Sequence, residues 1–349
     1  MPPATQKAFQ LHEDWTFKLD EIPVPSPGKG QILVKVQSVG LNPADWKIPR
    51  FKVMVERFPA VIGSDIAGDV AAVGEDVDDF KVGDRVFHMS DDWQNQGAFQ
   101  NYVLVHHARV AKIPSNITYD EAATLPLAVS TAVSGLYAAL PHGIALTPPT
   151  SAEGYGKYAG NAILVLGGAS AVGQATIQFA RLSGFSPIFT TASLKNTEAL
   201  KKLGATHVLS RDLSSSEVIA EISKITSKPV EYVYDAVVYE DTQKLAVDVV
   251  AQSPKGGLIA LATPQAVVTA PNDNVKIATI FAGNLPYNLE LFEAVYHDHL
   301  SEWVEKGLIL PNRLEVLPGG LKGIESGLER LEADQVSRLK LIIRPQETV

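Results

Sequence analysis

The stretch "NAILVLGGASAVGQATIQFARLSGFSPIFTTASLKN", residues 161–196, decides the reading of the whole chain. It runs from an apolar strand through a glycine-rich turn into an amphipathic helix and out to a second strand, the order of a βαβ unit. Gly168, Ser170 and Gly173 occupy the three glycine positions of a G-x-G-x-x-G turn. In such a turn the first glycine permits the tight bend, the second lets the main chain approach a pyrophosphate, and the third lets the helix pack on the strand. Ser170 departs from the strict pattern, and its hydroxyl is expected to act as a further phosphate donor. Beside it and Ala169, the amides of Ala171 and Val172 open the helix, where its dipole favours an anion.

A lone turn of this kind also serves simple strand-to-helix packing, so the choice rests on the pattern of the next hundred or so residues. The periodicity predicts strands over 162–167, 187–191, 207–210, 231–237 and 257–262, with helices over 171–183, 196–203, 214–225 and 241–251 between them. That alternation is the pattern of a doubly wound parallel sheet, a Rossmann-type α/β domain, and it turns the glycine turn into a dinucleotide site.

The end of the second strand reads "TTASLKN". An NAD site wants Asp or Glu here to hold the adenosine ribose hydroxyls, and Thr191, Ala192 and Ser193 offer none. Ser193, Lys195 and, after the third strand, Arg211 instead suit a 2′-phosphate, with Asn196 beside them as a further cofactor-binding candidate. Each charge alone reads as solvated surface; together, with no acid among them, they point to NADPH.

The chain has 349 residues, long enough for two domains, with 46% hydrophobic and 20% charged residues and a formal charge of −9. That balance argues against nucleic acid or an anionic membrane as the main partner, since both are held by clustered Lys and Arg. No unbroken apolar run suggests a membrane span, and the N-terminal residues lack the apolar core of a signal peptide, so a cytoplasmic protein is expected. The absence of cysteine removes disulfides, thiolate nucleophiles and Cys-containing metal sites. His106–His107 adjoin on an expected strand, and His297 and His299 lie two apart on an expected helix, so neither pair reads as metal ligands.

Residues 6–114 carry short β-branched runs separated by Gly, Pro and Asp, the signature of a barrel-like β domain. The helical pattern from about 120 breaks near Pro126, and the Pro- and Gly-rich stretch 141–160 reads as an exposed connector. The expected division is 1–125 with 285–349 as one domain and 126–284 as the nucleotide-binding domain.

With these residues in place, the chain resembles the medium-chain dehydrogenase/reductase superfamily over essentially its whole length. The segments that carry the likeness are "VGLNPADWK" (39–47), "IGSDIAGDVAAVGEDVDDFKVGDRVF" (62–87), "GAFQNYVLV" (97–105), "AATLPLAVSTA" (122–132) and the nucleotide loop. The resemblance implies a GroES-like β-barrel domain built from both chain ends, a Rossmann domain between, and substrate held in the cleft. Where zinc-dependent members have Cys-His-Thr-Asp and Gly-His-Glu, this chain reads Asn42-Pro43-Ala44-Asp45 and Gly63-Ser64-Asp65, so no metal is expected. It is similar instead to the zinc-independent branch of quinone oxidoreductases and enoyl reductases, most of all the trans-acting enoyl reductases of fungal polyketide assembly. Arg211 stands where relatives often place a tyrosine beside the adenosine.

What the resemblance implies chemically is hydride delivery to the C=C of an α,β-unsaturated carbonyl, small or carrier-bound. Hydrogen-bond donors must then meet the developing enolate charge. Lys47 and Thr131 are the expected donors, Asn42 positions nicotinamide or substrate, Pro43 and Asp45 border the cofactor, and Trp46, Leu127 and Ser130 border the substrate. Quinone reduction is the alternative chemistry, and an NADPH-binding structural or regulatory protein without turnover is the alternative class. A second copy of the chain and a partner synthase are the partners left open.

Overall fold

The computed structural model describes residues 1–92 and 95–349. The chain divides into two units: Met1–Leu127 with Phe292–Gly307 and Pro311–Val349, and Ala128–Leu291 with Leu308–Leu310.

In the first unit the strand Gln31–Gly40 organises a seven-stranded sheet. It pairs antiparallel with Asp65–Val73, with Tyr102–His106 and with the C-terminal strand Lys340–Ile343. The pairing of Ile342 with Gly40 brings the last strand of the chain against one of the first. Apolar side chains of these strands, among them Ile32, Val34, Val36, Ile66, Val103 and Leu341, form one core. The barrel-like domain expected from 6–114 therefore closes with a strand some 300 residues along the chain, within the expected run "RLKLIIR".

The second unit holds a six-stranded sheet paired parallel throughout, in the order His207–Ser210, Ile188–Ala192, Ile163–Leu166, Tyr232–Asp235, Gly257–Leu261, Val275–Thr279. Counted along the chain this order is 3-2-1-4-5-6, that of dinucleotide-binding sheets. It reverses direction between Ile163–Leu166 and Tyr232–Asp235, where such folds bind ligands beyond the carboxyl ends of the strands. The five strands expected from the sequence are present. The sixth, Val275–Thr279, lies after an irregular Pro- and Asn-containing segment and has no counterpart among the sequence expectations. Helices Ala171–Leu182, Thr197–Leu203, Ser215–Ile225 and Glu240–Val250 connect the strands.

Residues 141–160 form turns without helix or strand, but they are not uniformly exposed. Ile144 and Leu146 are buried, and Tyr158 stacks on Phe185 with ring centroids 5.0 Å apart. Its hydroxyl accepts the Thr147 amide at 2.8 Å, while residues 151–153, Tyr155, Lys157, Ala159 and Gly160 are exposed. No helix among the described residues is long and apolar enough to cross a membrane.

Candidate functional site

In the parallel-sheet unit, the turn after Ile163–Leu166 is shaped by two close approaches and one unusual dihedral. Gly167 has φ of +74°, in the left-handed region open to glycine. A Cβ on Gly168 would collide with Thr190 Oγ1, and one on Gly173 with the Gly167 carbonyl oxygen. The first contact presses the turn onto the neighbouring strand and the second seats the helix against the turn, as the spacing of the glycines requires. The turn is tied back by the Gly168 amide donating to Thr191 O at 3.0 Å and the Gly167 amide donating to Thr191 Oγ1 at 3.2 Å.

Ser170 is the N-cap of helix Ala171–Leu182, and its Oγ accepts the Gly173 amide at 2.9 Å. Its expected role changes accordingly: the hydroxyl first caps the helix, and its hydrogen remains available to an anion. Ala171 and Val172 occupy the first helical positions, whose N–H groups have no acceptor within the helix. The geometry matches the cradle that a dinucleotide pyrophosphate requires.

Around the end of Ile188–Ala192, the candidate 2′-phosphate groups gather on adjacent strands. Ala192 registers with Ser210, and the Arg211 amide donates to the Ala192 carbonyl at 3.0 Å. Ser193 opens the short turn Leu194–Asn196 with its side chain making no capping bond; Lys195 is exposed and Asn196 buried. The Arg211 side chain is also exposed and only 4.0 Å from the exposed Asp212. No carboxylate occurs in 188–197, so nothing there repels a phosphate.

In the same unit, Ser130 is fully buried and Thr131 half-buried on helix Pro126–Tyr137. The Tyr234 hydroxyl, whose pKa burial pushes up, donates to the Thr131 carbonyl at 2.7 Å. The substrate-facing role expected for Ser130 does not match that burial.

The barrel unit holds a second polar centre, buried rather than open. Asn42 precedes helix Pro43–Phe51; its amide side chain donates to the Gly40 carbonyl at 3.2 Å and to Asp65 Oδ2 at 3.0 Å, and its Oδ1 accepts Lys340 Nζ at 2.5 Å. Lys340 also pairs with Asp65 at 2.6 Å, and Asp65 Oδ1 accepts the Leu127 amide at 2.5 Å. The packing leaves no room at Gly40, where a Cβ would collide with the Ala123 carbonyl and stand 2.9 Å from Asp65 Oδ2 and Lys340 Cε. Asp45 accepts the Asn42 amide at 2.7 Å and is wholly buried. That burial, reinforced by the Asp65 charge and opposed by the Asn42 amide and Lys340, pushes its pKa up to about 7.

Two expectations are corrected here. Asn42 has committed both side-chain hydrogens and its oxygen to protein partners, so it is a positioning residue with no donor left for substrate. Asp45 is sealed from any cofactor and, at the third position of its helix, accepts the backbone amide of the N-cap residue Asn42. Pro43 and Lys47 are exposed; Lys47 stands 5.7 Å from the centroid of Trp46, and Trp46 in turn lies against Phe51. Leu127 contributes its backbone amide to Asp65.

Lys340 is a site residue that sequence reasoning misses. Its only sequence signal is a lysine inside the apolar run "LKLII", a position that a strand buried on both faces normally fills with an aliphatic. Zinc fits this centre poorly. Asn42 and Ser64 are weak zinc donors, and the one strong ligand, Asp65, already neutralises the Lys340 ammonium.

Residues 28–115 match the family described as alcohol dehydrogenase GroES-like domain, and residues 171–290 the family described as zinc-binding dehydrogenase. A trans-enoyl reductase of Aspergillus japonicus is 32% identical, covering 90% of this chain and 89% of its own length. A trans-enoyl reductase of Alternaria alternata is 30% identical over 97% of this chain and 99% of its own. Among solved structures, an alcohol dehydrogenase superfamily protein from Novosphingobium aromaticivorans superimposes with a TM-score of 0.79 at 25% identity, covering 97% of this chain and 99% of that one.

Proposed function

The chain belongs to the medium-chain dehydrogenase/reductase superfamily of oxidoreductases, and we propose from that premise that it reduces the C=C bond of α,β-unsaturated carbonyl compounds, enoyl thioesters above all, with NADPH and without zinc. The observation that carries the reaction class is the likeness, over nearly the full length of both chains, to relatives named trans-enoyl reductases.

NADPH when bound supplies a hydride to the β-carbon. The chain's part is to hold the cofactor and stabilise the enolate that results. Ser170, Ala171 and Val172 bind the pyrophosphate; Ser193, Lys195 and Arg211 receive the 2′-phosphate; Asn196 borders that pocket. Lys47 and Thr131 are the candidate donors to the developing charge, a good donor of this kind contributing on the order of 3 kcal/mol. Asn42, locked by Lys340 and Asp65, fixes the start of the helix that carries Trp46 and Lys47. Independence from zinc is supported by the donor chemistry around Asp65 and by the lack of cysteine.

The test is NADPH consumption by the purified chain with a panel of enals, enones, enoyl pantetheine thioesters and quinones, before and after prolonged chelation. The reading expects turnover of the unsaturated carbonyls, fastest with thioesters, and no loss on chelation. Turnover of quinones alone would move the protein to the quinone oxidoreductase alternative, and zinc-restored activity would overturn the metal-free chemistry.

A further inference from the structure

A second cluster in the barrel unit uses one imidazole from each of the two histidine pairs, 106–107 and 297–299. Asp79 lies in the turn between Asp65–Val73 and Arg85–Met89, His107 opens the short helix His107–Arg109, and His297 lies on the π-helical turn Ala294–Leu300. His107 is thus off the expected strand and His297 off a regular α-helix, which is why their spacing conceals the meeting. His107 Nδ1 is 2.9 Å from both Asp79 carboxylate oxygens, and His297 Nε2 is 2.7 Å from Asp79 Oδ2. One ligand atom from each of the three residues falls within 4.8 Å of the others.

We propose that Asp79, His107 and His297 form a binding site for a divalent cation of zinc type, separate from the residues assigned to the reductase chemistry. Two neutral imidazoles and a carboxylate are a common ligand set for such ions, and three protein ligands leave a position for water. In a tetrahedral site with metal–ligand distances of about 2.0–2.2 Å the donor atoms stand roughly 3.3 Å apart, so the hydrogen-bonded pairs need to spread by only about 0.5 Å. Behind the cluster, His297 Nδ1 is 2.8 Å from Asp298 Oδ1. A carboxylate on the far nitrogen of a ligating imidazole fixes its tautomer and raises its basicity, as it does for metal-bound histidines generally. The nearby cations are directed elsewhere: Lys81 and Lys112 pair with Asp84 at 3.0 and 3.3 Å, and Arg109 with Asp91 at 3.0 Å.

The π-turn supplies a physical reason for the placement. Val295, Tyr296 and Leu300 are buried, and the Tyr296 hydroxyl donates to the Pro126 carbonyl at 2.6 Å, which anchors the turn while His297 remains partly open to solvent. A bound ion would staple three segments distant in sequence and so act on stability rather than on turnover.

The experiment is titration of the chelator-stripped full chain with Zn²⁺ alone by calorimetry, with Co²⁺ absorption as the geometric readout and thermal unfolding and NADPH turnover measured in parallel. The expected result is one equivalent bound at micromolar concentration or tighter, a four- or five-coordinate Co²⁺ spectrum, a raised Tm and an unchanged rate. His297→Ala and Asp79→Asn should each weaken binding by more than tenfold. His107→Gln serves as an independent third variant should either of those not fold. Absence of stoichiometric Zn²⁺ binding by the wild-type chain, or equal affinity in folded variants, would overturn the proposal. The calorimetric result does not depend on whether the reductase reading is right.

Discussion

At the start of helix Ala171–Leu182 polar groups are left with bonds to make, whereas Asn42, Asp65 and Lys340 spend theirs on one another. The glycine turn leaves the amides of Ala171 and Val172 and the Ser170 hydrogen open to an anion. At Asn42, Asp65 and Lys340, each named donor meets an acceptor inside the protein. The first arrangement is suited to binding, since free donors at a helix end gain most from a ligand. The second is suited to holding, since a buried ion pair costs most when one partner is removed. Substitutions should therefore divide cleanly, those at the first site changing cofactor affinity and those at the second changing stability.

The largest effect is expected at Lys340. Lys340→Met leaves Asp65 buried without its cation and should cost about 3–5 kcal/mol in urea unfolding, while adding Asp65→Asn should recover much of the loss. A single-variant loss below about 1 kcal/mol would mean that the pair is not what holds this centre.

Asp45 sharpens the same point through pH. Its folded pKa of about 7 lies above the ordinary 3.8, so between those values the folded chain holds a proton that the unfolded chain has released. This group's contribution to stability is therefore full below pH 3.8, falls as pH rises through the window and is lost above about 7, by at most about 4 kcal/mol. Asp45→Asn should flatten that slope in denaturation series across the window. An unchanged slope would show that Asp45 is ionised in its buried position.

At the open site the effects should fall on affinity. Lys195→Ala should raise the Michaelis constant for NADPH by about ten- to hundredfold and that for NADH far less, with the maximal rate changing less than either. Arg211→Ala should act in the same direction but only severalfold, because its side chain is exposed and beside Asp212. Equal weakening of both cofactors by Lys195→Ala would remove the 2′-phosphate from this pocket.

The contrast also explains why one centre is legible in the sequence and the other is not. The nucleotide turn is contiguous: glycines, cap and helix start lie within 167–173, and local spacing identifies strand Ile163–Leu166 and helix Ala171–Leu182 to within one residue at each end. The buried centre joins Asn42 to Lys340 across 298 positions, and no local pattern encodes that meeting. The resemblance directs attention to Asn42 and Asp45, but their roles depend on partners visible only once the last strand pairs with Gln31–Gly40. Asp79, His107 and His297 are hidden for a related reason, a 3-10 turn and a π-turn rotating side chains away from the faces that ideal strands and helices assign.

The central claim is reduction of a conjugated C=C by hydride from NADPH, and isotope transfer tests it most directly. The chain is incubated with NADPH deuterated at the transferable position and an α,β-unsaturated thioester, and the product is characterised by mass spectrometry and NMR. The account predicts one deuterium at the β-carbon of a saturated thioester, with the α-proton drawn from solvent. Deuterium at the carbonyl carbon, or cofactor oxidation with no label in the organic product, would contradict it.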